Sequence, residues 1–367
     1  MRVAIVHHWL VHMGGAEKVV EAFCNLFPEA HLFTHVYVPE RVPAAIRSHP
    51  VHTSFIQRFP LARRFYKAYL PFMPMALEHL DLRGFDLVIS SESGPSKGVI
   101  VDPGALHICY CHSPMRYLWD MFQDYREGMG RWKRLLSAPA AHYLRMWDVA
   151  SAARVDRFVV NSRFVQQRVR KYYRRPSMVI HPPVEVDAFG RGSGKGEFYL
   201  MVGRMVPYKR ADLAIEAFCK MKRPLVIIGE GEALKGLKKR LCPYITFLGR
   251  QPFPILREHY ARCRALIFPG VEDFGIVPVE AMASGRPVIA YRRGGVLDTV
   301  EEGVTGVFFD EPTPESLIRA VERFESAEEH FVPERIRERA RRFDRPIFEK
   351  KFMVLVERAM GGMSGPC

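Results

Sequence analysis

Two glutamates stand close together in the segment VEDFGIVPVE, residues 271–280. Glu272 precedes a Phe-Gly turn, and Glu280 follows Pro278, which suits the first position of a helix. The apolar run ALIF at 265–268 comes just before and is typical of a buried strand. The spacing predicts a strand, a loop that carries Glu272, and a helix that begins at Pro278 with Glu280 in its first turn.

The start of this helix offers two kinds of binding group. Free backbone N–H groups and the positive end of the helix dipole favour an anion such as a phosphate. Carboxylates would repel a bare phosphate, so we expect Glu272 and Glu280 to accept hydrogen bonds from sugar hydroxyl groups. Phosphate and diols together describe a nucleotide sugar, although acids near a helix start are often only solvated. The backbone of this donor site is predicted at Phe274, Gly275, Ile276 and Val277.

A second polar segment, GRMVPYKR at 203–210, follows another apolar run. Gly203 allows a tight turn there, and Arg204 and Lys209 supply positive charge. If both strand ends open on one crevice, these cations can hold a diphosphate and stabilise its charge as a glycosidic bond breaks. Alternatively, these residues bind no ligand and are ordinary surface charges at the start of a helix, an interpretation that suits Lys209 better than Arg204.

The elements that must position these residues alternate along the chain. An apolar strand at 2–8 leads through Gly14 and Gly15 into a helix with apolar residues at helical spacing. Alternating strands and helices predict an α/β fold with parallel sheets. Further strands are predicted at 86–91, 106–113 and 156–162, and then at 198–203, 224–229, 245–249, 264–269, 287–291 and 306–309.

Two doubly wound, Rossmann-like domains account for the 367 residues better than one core does. We expect an N-terminal acceptor-binding domain at 1–184 and a C-terminal nucleotide-sugar domain at 185–344. The glycine-rich stretch 190–196 is predicted to link them, and helix 345–367 to pack back on the first domain. Pro346 is expected to separate this helix from the preceding one.

Composition limits the class of protein. No apolar run reaches the ~20 residues that a membrane-spanning helix needs, and the first residues lack the features of a signal peptide. Seven cysteines, the last being Cys367, show no CxxC spacing, so we expect buried thiols rather than a disulfide framework or a zinc site. The sequence therefore favours a cytoplasmic protein, in contact at most with the inner face of the plasma membrane.

The net charge of +14 is unevenly distributed. Residues 1–185 contain 24 Lys and Arg against 15 Asp and Glu, and the rest contains 30 against 25. The first half is thus expected to meet an anionic partner, such as a membrane surface, a phosphorylated substrate or a nucleic acid.

Over nearly its whole length the chain resembles glycosyltransferase family 4, whose members have the GT-B fold. The resemblance rests on these segments in this order: MGGAEKV (13–19), CHSPMRYLWD (111–120), GRMVPYKR, EDFGIVPVEAMASGRPVIA (272–290) and GGVLDTV (294–300). It implies two Rossmann-like domains facing a central cleft. The similar HSPMRY segment points to bacterial O-antigen and exopolysaccharide mannosyltransferases.

The resemblance also implies roles for individual residues. Glu280 would bind the nucleotide ribose, Glu272 the donor-sugar hydroxyls, and Arg204 with Lys209 the diphosphate. Gly14 and Gly15 would approach the phosphates, and His112 would face the donor sugar. The implied reaction retains the anomeric configuration and moves a hexose, for example mannose from GDP-mannose. An acid that relatives often carry before the first-loop Trp is His8 here, so its role is not transferred.

The cations Arg204 and Lys209 can supply the charge that a metal ion would otherwise provide, and no DxD pair follows a strand. We therefore expect neither a metal site nor an obligatory cofactor, with the nucleotide sugar serving as co-substrate.

The segment 55–80 mixes six aromatic residues with Arg58, Arg63, Arg64 and Lys67. Such a segment suits the surface of an anionic bilayer and a saccharide acceptor linked to a polyprenyl lipid. An equally reasonable interpretation is a core helix with a solvated basic face.

Two other functions share some of these features. A sugar-nucleotide epimerase or phosphorylase would use the same crevice with different acids or a lysine-bound cofactor. A basic nucleic-acid-binding protein fits the charge but leaves the paired acids and glycine turns unexplained. We therefore predict a glycosyltransferase that does not bind nucleic acid.

Overall fold

The computed structural model describes residues 1–127, 130–192, 194–237 and 242–363. The chain divides into two compact units. Unit 1 comprises Met1–His181 and the chain from Glu349, and unit 2 comprises Pro182–Phe348. Each is built on one parallel sheet with helices, so the predicted pair of doubly wound α/β domains is confirmed.

Unit 1 contains a seven-stranded sheet in the order β3-β2-β1-β4-β5-β6-β7. Its strands are β1 Val3–His7, β2 His31–Thr34, β3 Val51–Thr53, β4 Leu87–Glu92, β5 Leu106–Cys111, β6 Arg157–Val160 and β7 Ser177–Val179. Its helices are α1 Gly15–Leu26, α2 Ala44–Arg47, α3 Ala62–Phe65, α4 Met73–Glu78, α5 Phe122–Glu127, α6 Arg131–Ala152 and α7 Arg163–Tyr173. Every residue of β1, β4 and β5 is buried, as expected for central strands covered on both faces.

Unit 2 contains a six-stranded sheet in the order β10-β9-β8-β11-β12-β13. Its strands are β8 Phe198–Val202, β9 Leu225–Ile228, β10 Ile245–Gly249, β11 Cys263–Phe268, β12 Val288–Tyr291 and β13 Gly306–Phe309. Its helices are α8 Ala211–Met221, α9 Leu234–Leu237, α10 Phe253–Arg262, α11 Ile276–Ala283, α12 Val296–Thr299, α13 Pro314–Ser326 and α14 Pro333–Arg341. All six strands were predicted from the apolar runs, whereas β2, β3 and β7 of unit 1 were not.

Helix α15, Arg345–Met363, follows α14 after a break, and Pro346 lies in its first turn. The predicted interruption of the C-terminal helical region is therefore confirmed. Within unit 1, Phe352 of α15 packs on Phe23 of α1 with ring centroids 4.6 Å apart. The predicted helix extended to 367, and its last four residues, Cys367 among them, lie outside the described part of the chain.

The stretch 190–196, expected to link the domains, lies inside unit 2, although Ser193 is outside the described residues. Its glycines permit close packing instead. The Gly192 N–H donates to the Ser284 carbonyl over 2.9 Å, and a Cβ on Gly196 would come within 2.3 Å of the Arg264 backbone nitrogen. Gly192 and Gly196 therefore serve close contact within unit 2, whereas a Cβ on Gly190 or Gly194 would meet nothing within 4 Å.

The cysteine prediction is wrong for one pair, because Cys219 and Cys242 form a disulfide bond with their Cα atoms 6.1 Å apart. Their separation of 23 residues matches no short motif, so only the fold brings them together. Cys24, Cys109, Cys111 and Cys263 are buried free thiols, as expected.

A charged cluster is buried within unit 1. The Lys97 ammonium group forms an ion pair with Asp148 and lies 3.6 Å from Glu92 Oε1. Asp148 also accepts hydrogen bonds from Trp119 Nε1 at 2.8 Å and from the Tyr173 hydroxyl at 3.0 Å. This cluster joins β4, α6, α7 and the loop that contains Trp119, so it holds distant segments of the unit together.

Candidate active site

In the sheet of unit 2, the order in which successive strands are added reverses between two neighbouring strands. β8 continues to β9 and β10 on one side, while β11 continues to β12 and β13 on the other. Because β8 and β11 are parallel neighbours, the loops that follow them leave the same edge of the sheet. Such a switch point is where open α/β sheets bind ligands.

Lys209 and Glu272 meet at this edge. Lys209 ends a short 3-10 helix, Pro207–Lys209, and its Nζ lies 2.7 Å from Glu272 Oε1. The two side chains are only 13% and 20% exposed, so the pair is partly removed from water and interacts more strongly than a surface pair. The loop after β8 and the loop after β11 therefore supply one charged site, as the sequence predicted.

Glycines make the close approach of these loops possible. Gly203 has φ +137°, and a Cβ there would lie 2.6 Å from Lys209 Nζ. A Cβ on Gly270 would lie 2.6 Å from the Lys209 Cα atom. Any larger residue at either position would displace the lysine.

Two further glycines hold the loop that carries Glu272. The Gly295 N–H donates to the Glu272 carbonyl over 2.9 Å. A Cβ on Gly295 would lie 2.2 Å from the Asp273 carbonyl oxygen, and Gly294 has φ +91°. The segment GGVLDTV thus positions the first carboxylate, a role that sequence reasoning missed because it depends on a contact between separate loops.

Helix α11 begins two residues before the predicted start. Its N-cap is Gly275, in the left-handed conformation with φ +86°, so Pro278 occupies the third position and Glu280 the second turn. Gly275, Ile276 and Val277 thereby lack intrahelical acceptors for their N–H groups, as expected for an anion site. The predicted end of the helix is confirmed, since Gly285 follows Ala283 closely with φ +73°.

Glu280 is buried and accepts a 2.8 Å hydrogen bond from the Tyr260 hydroxyl. Phe274 belongs to the apolar core of the unit, where its ring packs 5.6 Å from that of Phe343. Of the predicted donor-binding residues, Phe274 therefore has only its backbone to offer a ligand.

Arg204 lies on the loop after β8 but is exposed. It forms no ion pair with any of the residues that the structure describes. The structure therefore places Lys209, and not Arg204, against Glu272.

The corresponding edge of the sheet in unit 1 carries the other predicted residues. Gly14 is the N-cap of α1, and Gly15 is its first residue. His112 follows β5 and is buried, with its Nε2 2.9 Å from the Ser91 hydroxyl oxygen. Burial and the neighbouring His7 lower the pKa of His112 to about 3, so its ring is neutral at physiological pH.

Both halves of the chain match models of known protein families. A family model described as glycosyl transferases group 1 matches residues 166–343, and one described as glycosyltransferase family 4 matches residues 13–188. The chain carries two glycosyltransferase domains.

The crystal structure of HepE from Anabaena in complex with UDP and glucose resembles this protein over 97% of the chain and 99% of that structure. The TM-score is 0.73 at 16% sequence identity. This likeness confirms the predicted GT-B fold.

Among sequence relatives, an uncharacterized glycosyltransferase of Methanocaldococcus jannaschii is 29% identical over 44% of this chain and 47% of its own length. Alpha-1,3/1,6-mannosyltransferase ALG2 of Homo sapiens is 29% identical over 59% of this chain and 58% of its own length. The chain thus spans about half the length of the curated relatives it matches.

The basic segment predicted to meet an acceptor or a membrane is exposed in unit 1. Arg58, Arg63, Arg64 and Lys67 are all exposed, and the region folds into short helices instead of one core helix. Four large apolar side chains of the same segment are 46–67% exposed, namely Leu61, Phe65, Phe72 and Met75.

Two features are absent from the described residues. These residues contain no cluster of three or more His, Cys, Asp or Glu side chains arranged to hold a metal ion. None of the helices in that part of the chain is long and apolar enough to cross a membrane.

Proposed function

We propose that the protein is a retaining hexosyltransferase that binds its nucleotide-sugar donor at the carboxyl edge of the unit 2 sheet. The observation that carries the proposal is the Lys209–Glu272 pair at the switch point between β8 and β11. A nucleotide sugar has one anionic part and several hydroxyl groups, and this site offers a cation and a carboxylate side by side.

The diphosphate, the ribose and the hexose of the donor each have a proposed binding group in unit 2. The diphosphate binds Lys209 and the N–H groups at the start of α11, with Arg204 as a second cation from the same loop. The ribose hydroxyls bind Glu280, whose carboxylate is held by Tyr260. Glu272, kept in place by Gly295, accepts hydrogen bonds from the hexose.

The proposed reaction transfers the hexose without change of anomeric configuration. The bond from the anomeric carbon to the diphosphate oxygen breaks, and its electron pair stays on the diphosphate. The acceptor oxygen forms the new bond to the same carbon, and its proton passes to the departing diphosphate. Lys209 stabilises the charge that develops on that leaving group. The proposal needs no metal ion or other cofactor.

GDP-mannose is the donor we propose, in the synthesis of a cell-surface polysaccharide such as an O-antigen. The support is the sequence similarity to a relative named as a mannosyltransferase. HepE, which resembles the chain in fold, was crystallised with UDP and glucose. UDP and UDP-glucose are therefore the competitors to test.

Thermal unfolding with GDP, UDP, ADP, GDP-mannose and UDP-glucose tests the donor site. A nucleotide at about 100 times its Kd adds roughly 2.7 kcal/mol to the free energy of unfolding of the unit that binds it, or about 5–10 °C in Tm. We expect this shift with guanine nucleotides only, and its loss in Glu280→Ala.

Glu258→Ala is the matched control, because Glu258 is an exposed acid of the same unit that pairs with Arg262. This variant should keep the full shift. A shift with uridine nucleotides alone would overturn the choice of donor. No shift with any of the five, or an equal shift in Glu280→Ala, would overturn the site.

We further propose that the segment 55–80 rests on an anionic membrane, where the enzyme meets a polyprenyl diphosphate-linked saccharide. Exposed apolar side chains insert at the interface, while neighbouring arginines and lysines bind acidic headgroups. One short stretch carries both apolar and basic side chains in exposed positions, namely Leu61, Arg63, Arg64 and Phe65.

Sedimentation with vesicles tests the membrane proposal. We expect binding to vesicles that contain phosphatidylglycerol, weaker binding at high salt, and about a 30-fold loss in Arg63→Gln/Arg64→Gln, at roughly 1 kcal/mol for each of the two charges removed. Arg41→Gln/Arg47→Gln removes two other basic residues of unit 1 and should bind like the wild type. Equal binding to neutral vesicles, or equal losses in both double variants, would contradict the proposal.

A further inference from the structure

Four polar side chains form a buried chain of contacts in unit 1. His7 ends β1, Ser91 lies near the end of β4, His112 follows β5, and Glu17 lies in the first turn of α1. The Ser91 hydroxyl oxygen lies 3.1 Å from His7 Nδ1 and 2.9 Å from His112 Nε2. His7 Nε2 in turn faces Glu17 Oε1 at 3.5 Å. We name these residues, in the order Glu17, His7, Ser91 and His112, the relay.

The position of one proton in the relay follows from its partners. His7 Nδ1 lies 3.2 Å from the Ser91 carbonyl oxygen as well as near the Ser91 hydroxyl. A carbonyl oxygen only accepts hydrogen bonds, so His7 Nδ1 carries a proton and donates it. The Glu17 carboxylate lies on the other side of the ring, where it faces Nε2. The hydrogen bond and charge of His7 outweigh burial and lower the pKa of Glu17.

The first hydrogen bond favours one direction for the next, because a buried hydroxyl hydrogen needs an acceptor. Since the Ser91 oxygen accepts from His7 Nδ1, its own hydrogen is available for His112 Nε2 at 2.9 Å. That nitrogen is then an acceptor, and a neutral His112 must carry its proton on Nδ1. Among the described residues, Nδ1 of His112 has no hydrogen-bond partner, so this donor is left for a ligand.

Hydrogen bonds also fix the backbone N–H and carbonyl groups of His112. Its N–H donates to the Glu92 carbonyl over 2.7 Å, and its carbonyl accepts from Asn161 Nδ2 at 2.9 Å. Gly14 makes room for the relay, because a Cβ there would lie 2.9 Å from Glu17 Oε2. A ring fixed in position and tautomer loses little freedom when it binds a ligand.

We infer that Glu17, His7 and Ser91 are positioning residues that keep His112 in the Nδ1–H tautomer, so that it donates a hydrogen bond to a hydroxyl oxygen of a sugar substrate at the carboxyl edge of the unit 1 sheet. The inference deepens the proposed function and rests on it for the identity of the ligand. The tautomer itself depends only on unit 1.

The tautomer can be measured directly by NMR on the protein labelled with 15N-histidine. The His112 signals are assigned as those missing from His112→Gln. We expect the wild type to show the Nδ1–H form, and Ser91→Ala to show a mixture or the Nε2–H form. The matched control is Ser90→Ala, because the Ser90 hydroxyl lies 2.8 Å from His107 Nε2 in the same two strands. That control should alter the His107 signals and leave those of His112 unchanged.

Kinetics provide the second measurement. Loss of a group that orients a metal-binding histidine costs roughly 10- to 100-fold in activity, and we expect a loss of similar size in the kcat of Ser91→Ala with KM nearly unchanged. The shift in Tm with nucleotide should persist, since unit 2 is intact. Glu17→Gln should show a smaller loss of kcat, because the amide keeps the shape of the carboxylate.

The two measurements separate this inference from the proposed function. An Nε2–H tautomer in the wild type overturns the inference even if Ser91→Ala does not fold. So does an unchanged His112 tautomer in a folded Ser91→Ala. A wild type with the Nδ1–H form that neither binds nucleotides nor transfers a hexose would overturn the proposed function alone.

Discussion

Replacing Lys209 with alanine is expected to lower kcat by about 10²- to 10³-fold, the usual cost of removing one group that stabilises developing charge. Lys209 is largely buried beside Glu272, so its charge acts in surroundings where water screens it weakly. Charge on the diphosphate grows as the glycosidic bond breaks. The lysine therefore binds the transition state more strongly than the donor, and KM should rise much less than kcat falls.

Lys220→Ala is the matched control for this experiment. Lys220 also pairs with glutamates, at 2.9 Å from both Glu216 and Glu315, but about half of its side chain is exposed on α8. Its loss should change kcat by less than about twofold, as expected for an exposed ion pair. Steady-state transfer from the donor identified by thermal unfolding gives both values. A Lys209→Ala enzyme that keeps near wild-type kcat would remove the lysine from the mechanism.

The sequence predicted the charged site in unit 2 because short segments determine it. An apolar run followed by a polar loop locates the end of a parallel strand, and two such runs placed Lys209 and Glu272 at the same edge. The start of α11 was misjudged for a local reason. Pro278 suits the first position of a helix, but it also fits the third, and the left-handed Gly275 decides where the turn begins.

Contacts between distant segments could not be predicted in this way. His7 and Ser91 are 84 positions apart, and the register of β1 on β4 makes them direct neighbours. The same holds for Lys97 and Asp148, which are separated by 51 positions, and for the Cys219–Cys242 bond. Strands β2, β3 and β7 each contain at most two apolar residues, so they show no apolar run, and pairing with longer neighbours stabilises them.

Replacing Lys97 with methionine is expected to reduce the free energy of unfolding of unit 1 by about 3–5 kcal/mol, the cost of leaving a buried charge without its partner. Methionine fills much of the same volume, so little of this loss comes from a cavity. Asp148 keeps its hydrogen bonds from Trp119 and Tyr173 but loses the only ammonium group beside it in the described structure. Guanidinium chloride unfolding monitored by tryptophan fluorescence measures the change, since Trp119 and Trp147 both lie near the cluster.

Glu92→Gln is the control, because burial raises the pKa of Glu92 from 4.5 to about 7 despite the opposing charge of Lys97. At pH 6 the folded protein thus holds a protonated Glu92, which glutamine resembles in shape and charge, and the variant should lose less than about 1 kcal/mol.

The unfolded chain releases this proton near pH 4.5, so folding binds a proton between about pH 4.5 and 7. Over that range the contribution of Glu92 to stability falls as pH rises, and Glu92→Gln should gain stability relative to the wild type. If both variants were equally destabilised at pH 6, the buried Lys97–Asp148 charge pair would not be the source of the stability.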